Sequence, residues 1–272
     1  MRSNKSLGRS GSRLLVKLAG QDKHVFTFAE AHAILGISDA ATRKLLSELM
    51  EKKWLIPLTR GKYLVVPLSA GEEAEVSESW FVVAKYLIEP RRYFLSHYSA
   101  MEIHNMTTQP ISSVFISTPQ KKREIKSLGA TFRFVYVDDA KMWGSADIWA
   151  TPTEKVTVSD LERTIIDCLN NPRLCGGVSE LAKGLYSRRS DIDSAKLLAD
   201  VRRFNSKAVA KRLGFLLDLY SFASEISSEL KNMTGSSYVP LDPSLPPAGK
   251  YIRRWRLRLN LDPDELKQIV ET

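Results

Sequence analysis

Between Val25 and Leu68 the chain reads as two helices separated by a short turn and followed by a hairpin, and no other stretch restricts the fold as much. Phe28–Leu35 is expected as a short helix, Gly36-Ile37-Ser38 as the turn, and Asp39–Trp54 as a longer second helix. Leu55–Leu58 and Lys62–Val66 are short extended runs around Thr59-Arg60-Gly61, the shape of a wing. A helix displayed this way fits a DNA major groove, and a wing reaches the phosphates beside it. Ser38 is placed to cap the second helix by accepting a free backbone N–H. Ala41, Leu45, Leu46, Leu49 and Met50 share one helical face, which is expected to point inward. Ser38, Ala40, Thr42, Arg43, Lys44 and Ser47 form the expected DNA-facing set. Arg43 has the donors for guanine or phosphate, and small residues near the helix start let the backbone approach bases closely. Arg60 and Lys62 flank Gly61 and are the expected phosphate contacts. A winged helix can also serve as a protein-interaction adaptor without sequence-specific DNA binding. Cations at both the second helix and the wing favour DNA.

Charge placement agrees with that preference. The 272 residues carry a net charge of +9, so an acidic partner suits the chain, although charge alone says nothing about sequence preference. Residues 1–70 hold 12 Lys and Arg against 5 Asp and Glu, whereas residues 71–90 hold 1 against 5. The acidic run Glu72, Glu73, Glu75 and Glu78 thus separates two basic regions. Only two cysteines occur, Cys168 and Cys175, too few for a disulfide scaffold or a four-cysteine zinc site. No apolar stretch of signal-peptide length follows the basic start, and Trp80–Ile88 is too short to span a bilayer. The expectation is a soluble cytoplasmic protein.

These features predict an α+β chain: an N-terminal winged helix-turn-helix domain over residues 1–70 and a larger mixed α/β domain over residues 71–272. Met1–Ser12 is polar and basic and is expected as a mobile arm; Arg13–Leu18 should be the first helix. Residues 75–88 have helical apolar spacing and should open the second domain or bridge the two. Val114–Ser117 and Phe132–Val137 are the clearest strands, being short, β-branched and aromatic. Val158–Leu169 is expected as a helix capped by Ser159 with Glu162 at capping-box spacing, and with Leu161, Ile165, Cys168 and Leu169 inward. Val178–Tyr186, Ile192–Asn205 and Ala208–Phe222 read as further helices. Arg253–Leu259 alternates, which predicts one half-buried strand with Arg254, Arg256 and Arg258 on its outer face. With Arg202, Arg203, Lys207, Lys211 and Arg212 nearby in sequence, that row is a candidate secondary basic surface for nucleic acid or an acidic partner.

Three further segments carry a resemblance. Tyr93–His104 is similar to a Y-x-S-x-x-S-A-L-x-x-H stretch, Ser159–Asp167 to S-x-x-E-R-T-I-x-D with Gly176-Gly177 after it, and Lys211–Leu217 to R-R-L-G-Y-L-L. Following a winged helix in this order, they resemble AbiEi-type antitoxins, the regulators of type IV toxin–antitoxin (abortive infection) systems. The resemblance spans roughly residues 15–260 and departs at Met101, Asn105 and Met106. It implies a transcriptional repressor of its own operon that binds inverted repeats in double-stranded promoter DNA. It also implies a functional partner, a nucleotidyltransferase-type toxin, opposed without a stable complex.

Catalytic readings fare less well. His24, His32, His97 and His104 show no short metal-ligand spacing, so no metal or cofactor is expected. Glu124-Ile125-Lys126 matches the E-x-K piece of a nuclease site, but the required upstream carboxylate on a strand is missing: Glu102 reads as helical. No glycine-rich phosphate loop or nucleophile elbow is present. Arg163 and Asp167 sit at i,i+4 spacing and read as an ion pair rather than an active site. The chain is therefore not expected to be an enzyme.

Overall fold

In the computed structural model, which describes residues 7–21, 23–66, 80–88, 91–107, 109, 112–152 and 154–270, periodicity resolves into two units, Met1–Glu89 and Pro90–Thr272. The division expected after residue 70 falls in a stretch outside the described residues, and the helix Trp80–Ile88 goes with the first unit.

The first unit begins with α1 (Arg9–Ala19), so the chain is helical earlier than the expected arm allows; residues 1–6 of that arm lie outside the described residues. A three-residue β1 (Val25–Thr27) leads into α2 (Phe28–Leu35) and α3 (Asp39–Glu51). The hairpin β2 (Leu55–Thr59) and β3 (Lys62–Val65) follows, then α4 (Trp80–Ile88). The sheet order is β1-β3-β2, all antiparallel. Leu14, Leu18, Phe26, Leu35, Leu46, Leu49 and Leu55 close the core beneath the two helices. α3 stops at Glu51, short of the expected Trp54, because Lys53 takes a left-handed φ of 57° and the Trp54 amide turns back to the Leu49 carbonyl.

The second unit is built on a six-stranded mixed sheet, ordered β6-β7-β5-β4-β9-β8. Its elements are β4 (Phe94–Leu95), α5 (His97–Ile103), β5 (Ser113–Thr118), β6 (Ile125–Ser127), β7 (Ala130–Tyr136), β8 (Ser145–Trp149) and β9 (Lys155–Ser159). β5 runs parallel to β7 and β4 to β9; the other pairs are antiparallel. Helices α6 (Leu161–Asn170), α7 (Gly177–Ser187), α8 (Ser194–Phe204), α9 (Lys207–Tyr220) and α10 (Ser227–Asn232) enclose an apolar core. A second, three-stranded sheet, β10 (Val239–Pro240), β11 (Lys250–Ile252) and β12 (Leu257–Leu259), has the order β10-β12-β11, and α11 (Pro263–Gln268) closes the chain.

Two expectations fail in this unit. Ser159 does not cap α6: it ends β9 and is buried, and Asp160 caps instead by accepting from the Arg163 amide at 2.9 Å. Glu162 is drawn into tertiary bonds, accepting from the Asp193 amide at 3.0 Å and pairing with Lys196. Nor is Arg253–Leu259 one strand. β11 ends at Ile252, residues 253–256 turn, and Arg256 has a φ of 51°. The cause is Trp255: its ring lies on α9 at Gly214, where a Cβ would come within 2.2 Å of it, and its indole N–H donates to Asp218 at 2.6 Å.

Candidate nucleic-acid interface

α2 and α3 are set by their caps. Thr27 and Glu30 form a reciprocal capping box: the Thr27 amide donates to Glu30 at 2.7 Å, and the Glu30 amide donates back to the Thr27 hydroxyl at 3.3 Å. Lys23 pairs with Glu30, whose carboxyl is held below its ordinary range chiefly by that ammonium. Gly36 ends α2 in the left-handed region at φ 64°, a conformation that other residues adopt at a cost. Ser38 caps α3 by accepting the Ala41 amide at 3.3 Å.

The inner face of α3 is turned by about one residue from the expected one. Thr42, Leu46 and Leu49 are buried, Leu45 and Met50 are half-buried, and Ala41 is exposed. Thr42 therefore leaves the DNA-facing set. Its hydroxyl donates to the Ser38 carbonyl at 3.0 Å, which meets its hydrogen-bonding need and lets a polar residue take a core position. Ser38, Ala40, Arg43, Lys44 and Ser47 remain together on the exposed side.

Arg43 is the best-oriented of these. Its guanidinium carbon lies 4.9 Å from the Phe28 ring centroid and Nη2 lies 3.8 Å from Asp39, yet 71% of the side chain is exposed. An exposed pair of this kind contributes little stability, about 0–1 kcal/mol. Its effect is to limit the rotamers of a cation whose donors remain accessible. The wing is a tight hairpin with Gly61 at φ 75° and Arg60 exposed beside it. The Phe28 amide donates to the Gly61 carbonyl at 2.9 Å, which ties the wing tip to the start of α2. Lys62, expected at phosphate, instead donates to the Tyr86 carbonyl of α4 at 2.5 Å.

The secondary basic residues are dispersed. Arg254 pairs with Asp218 at 2.6 Å, Arg202 with Glu229 at 2.7 Å, and Arg203 lies over the Trp143 ring at 4.4 Å. Only Arg256 and Arg258 of the row share a face, packed against Tyr238 and Tyr251 at 5.5 and 5.4 Å. Lys211 is buried with its ammonium on Ser237, and Arg212 donates to the Leu169 and Leu241 carbonyls at 2.7 and 2.9 Å.

The segments of the second unit that carry the resemblance resolve into structural bonding. Arg163 pairs with Asp167 at 2.9 Å and donates to the Lys141 and Trp143 carbonyls, sealed among Phe94, Trp143 and Phe204. Burial pushes the Asp167 carboxyl up to about 6 even with Arg163 beside it. Ser96, His97 and Ser117 form a hydrogen-bonded set that looks like a nucleophile and base, with His97 Nδ1 2.9 Å from the Ser96 hydroxyl. All three are buried, and desolvation together with the Arg163 charge lowers the His97 imidazole to about 3. An imidazole that resists protonation inside a closed core is poorly matched to proton transfer near neutral pH. Glu124 is an exposed residue 3.8 Å from Arg133. Among the described residues, no group of three or more His, Cys, Asp or Glu is arranged to hold a metal ion, and no helix is long and apolar enough to cross a membrane.

The comparisons with known proteins fall on the same geometry. Residues 13–66, from α1 to the end of the wing hairpin, match the model of a family of transcriptional regulators described as AbiEi antitoxins. This is the family resembled by the motif order. Among solved structures, the RV2827C protein from Mycobacterium tuberculosis has a similar fold, with a TM-score of 0.71 and 16% identity over 99% of this chain and 97% of that one. No curated protein matches.

Proposed function

We propose that the chain is a transcriptional repressor that binds inverted repeats in the promoter of its own operon, and an antitoxin that counteracts a nucleotidyltransferase-type toxin. The observation that carries the DNA reading is the exposed side of α3, where Ala40, Arg43, Lys44 and Ser47 stand clear on a capped helix beside the wing. Arg43 reads a base or holds a phosphate, Lys44 and Arg60 neutralise backbone charge, and Ala40 allows close approach to the groove floor. The chain acts by occupying DNA and by opposing its partner, not by catalysis. With about six phosphates neutralised, affinity falls with salt at a log–log slope near −5.

Titration of the full chain onto its own promoter and onto a scrambled duplex tests this. Arg43→Ala should lose about 1–3 kcal/mol on the promoter. An equal loss on both duplexes assigns Arg43 to the backbone, and no loss on either removes α3 from the interface. Absence of any salt-sensitive binding, together with stable co-purification of a protein partner, would favour the adaptor reading. The antitoxin activity belongs to the second unit. A full-length Arg43→Ala/Lys44→Ala chain should therefore still rescue growth when co-expressed with the toxin, and loss of rescue by this folded variant would reject the separation.

A further inference from the structure

The outer face of the β10-β12-β11 sheet has a composition that the winged helix does not explain. In its inner row Leu257 is buried between Val239 and Ile252; in its outer row Arg258 lies between Pro240 and Tyr251. Tyr251 is 61% exposed and Tyr238 39% exposed, and their rings meet edge-on with centroids 5.1 Å apart. Each ring is flanked by a guanidinium, Arg258 at Tyr251 and Arg256 at Tyr238. Beside them is a groove of about 460 Å³ lined by Lys231, Thr234, Gly235, Arg253, Arg254 and Arg256.

The charge here is uncompensated. Asp218 neutralises Arg254, but among the described residues no carboxylate pairs with Lys250, Arg253, Arg256 or Arg258. Lys207 stands beside Gly235, close enough that a Cβ there would meet its Nζ at 3.4 Å. The crowding of cations also reaches inward: burial first, then the charges of Lys207, Arg256 and Arg212, lower the Lys211 ammonium from its ordinary range. The platform is held rigidly. Trp255 is locked against Gly214, and Gly249 has φ 88° where a Cβ would come within 1.6 Å of the Leu259 carbonyl oxygen.

We propose that this face of the second unit is a binding site for a single-stranded polynucleotide, with bases stacking on Tyr251 and Tyr238 and the phosphodiester backbone lying in the adjoining cationic groove. Exposed rings interleaved with unpaired arginines provide both halves of strand recognition, a π-surface for any base and neutralisation for the backbone. A duplex offers such a surface its phosphates and groove edges but no base faces, because its bases are already stacked on one another. The tyrosines would then add nothing. The site goes beyond the promoter-binding reading and uses none of its residues.

The test is fluorescence anisotropy of the full chain with labelled oligo-dU and oligo-U of about twelve nucleotides, a length within the usual range of such sites. Binding of either strand is expected, and the tighter one identifies the sugar preferred. Tyr251→Ala should weaken it at least about fivefold, and Tyr251→Phe, which keeps the ring, should bind like the parent. Arg256→Ala/Arg258→Ala should flatten the log–log salt slope by about 1.4. Promoter binding should be unchanged in all three, with thermal melts verifying the fold. Four results would overturn the proposal: neither strand binds; folded Tyr251→Ala binds as the parent does; polyglutamate displaces the strand as well as unlabelled oligonucleotide does; or Arg43→Ala abolishes strand binding.

Discussion

Arginine occupies a central place in both units, and the two settings differ in nearly every physical respect. Arg43 leaves most of its side chain in water, steadied by one ring and one exposed carboxylate. Arg163 has no exposed surface, is enclosed by three aromatic rings, and donates from Nε to Asp167 and from Nη1 to two carbonyls, while its buried Nη2 has no hydrogen-bond partner. Both lie in legible stretches: Arg43 inside residues 13–66, which match the family model, and Arg163 in the Ser159–Asp167 stretch that carries the resemblance. A dense motif here marks a buried polar joint, where each partner needs every other. A surface that reads a ligand needs only a few well-spaced side chains on a firm support. A legible pattern therefore does not by itself separate interlocking from function, and function is sought where the donors are still available.

The sharpest way to break this comparison is Arg163→Ala. Removing one member of a buried pair should cost about 3–5 kcal/mol of stability, read as a lower denaturant midpoint. A loss under about 1 kcal/mol would mean that the joint is not what holds α6. Next comes pH. His97 stays neutral in the fold, whereas unfolded it takes a proton near pH 6.5. Its contribution is complete above that pH and is lost as pH falls toward 3, at about 1.4 kcal/mol per unit. His97→Asn, which suits the left-handed φ of 53°, should flatten the acid limb of stability relative to the parent; parallel curves would contradict a neutral buried imidazole. On the exposed side, Arg43→Ala should reduce promoter affinity by about 1–3 kcal/mol without moving the melting temperature. A destabilised Arg43→Ala would erase the contrast between the two arginines. Smallest is Ser38→Ala, which should cost about 1 kcal/mol of stability through the α3 cap, with Ser38→Asp restoring it.

The helix pair and wing were legible because their signals are local: Gly36 at the turn, Ser38 at the cap and Gly61 at the hairpin. The strand β1 was not, since three residues carry no usable period and its pairing with β3 depends on chain far away in sequence. The phase of α3 was misplaced through polarity. Thr42 is buried because the Ser38 carbonyl satisfies its hydroxyl, and neighbouring Ala41 is equally at home in water. Ser159 and Asp160 are both competent caps, and only the pairing of β9 with its neighbours decides between them. The alternating arginine row looked like one strand because nothing near it announces that Trp255 must reach Gly214 on α9. The tyrosines that complete the cationic sheet face lie outside that row: Tyr251 is brought to it by the β11–β12 hairpin and Tyr238 by the parallel pairing of β10 with β12.

The amide-to-carbonyl link between Phe28 and Gly61 has a kinetic consequence. In the proposed promoter complex, a duplex that touches the helix pair finds the fastened hairpin tip at high local concentration. The second grip then requires little reordering of the chain. Loss of Arg60 should accordingly shorten the residence time on DNA far more than it slows the first encounter.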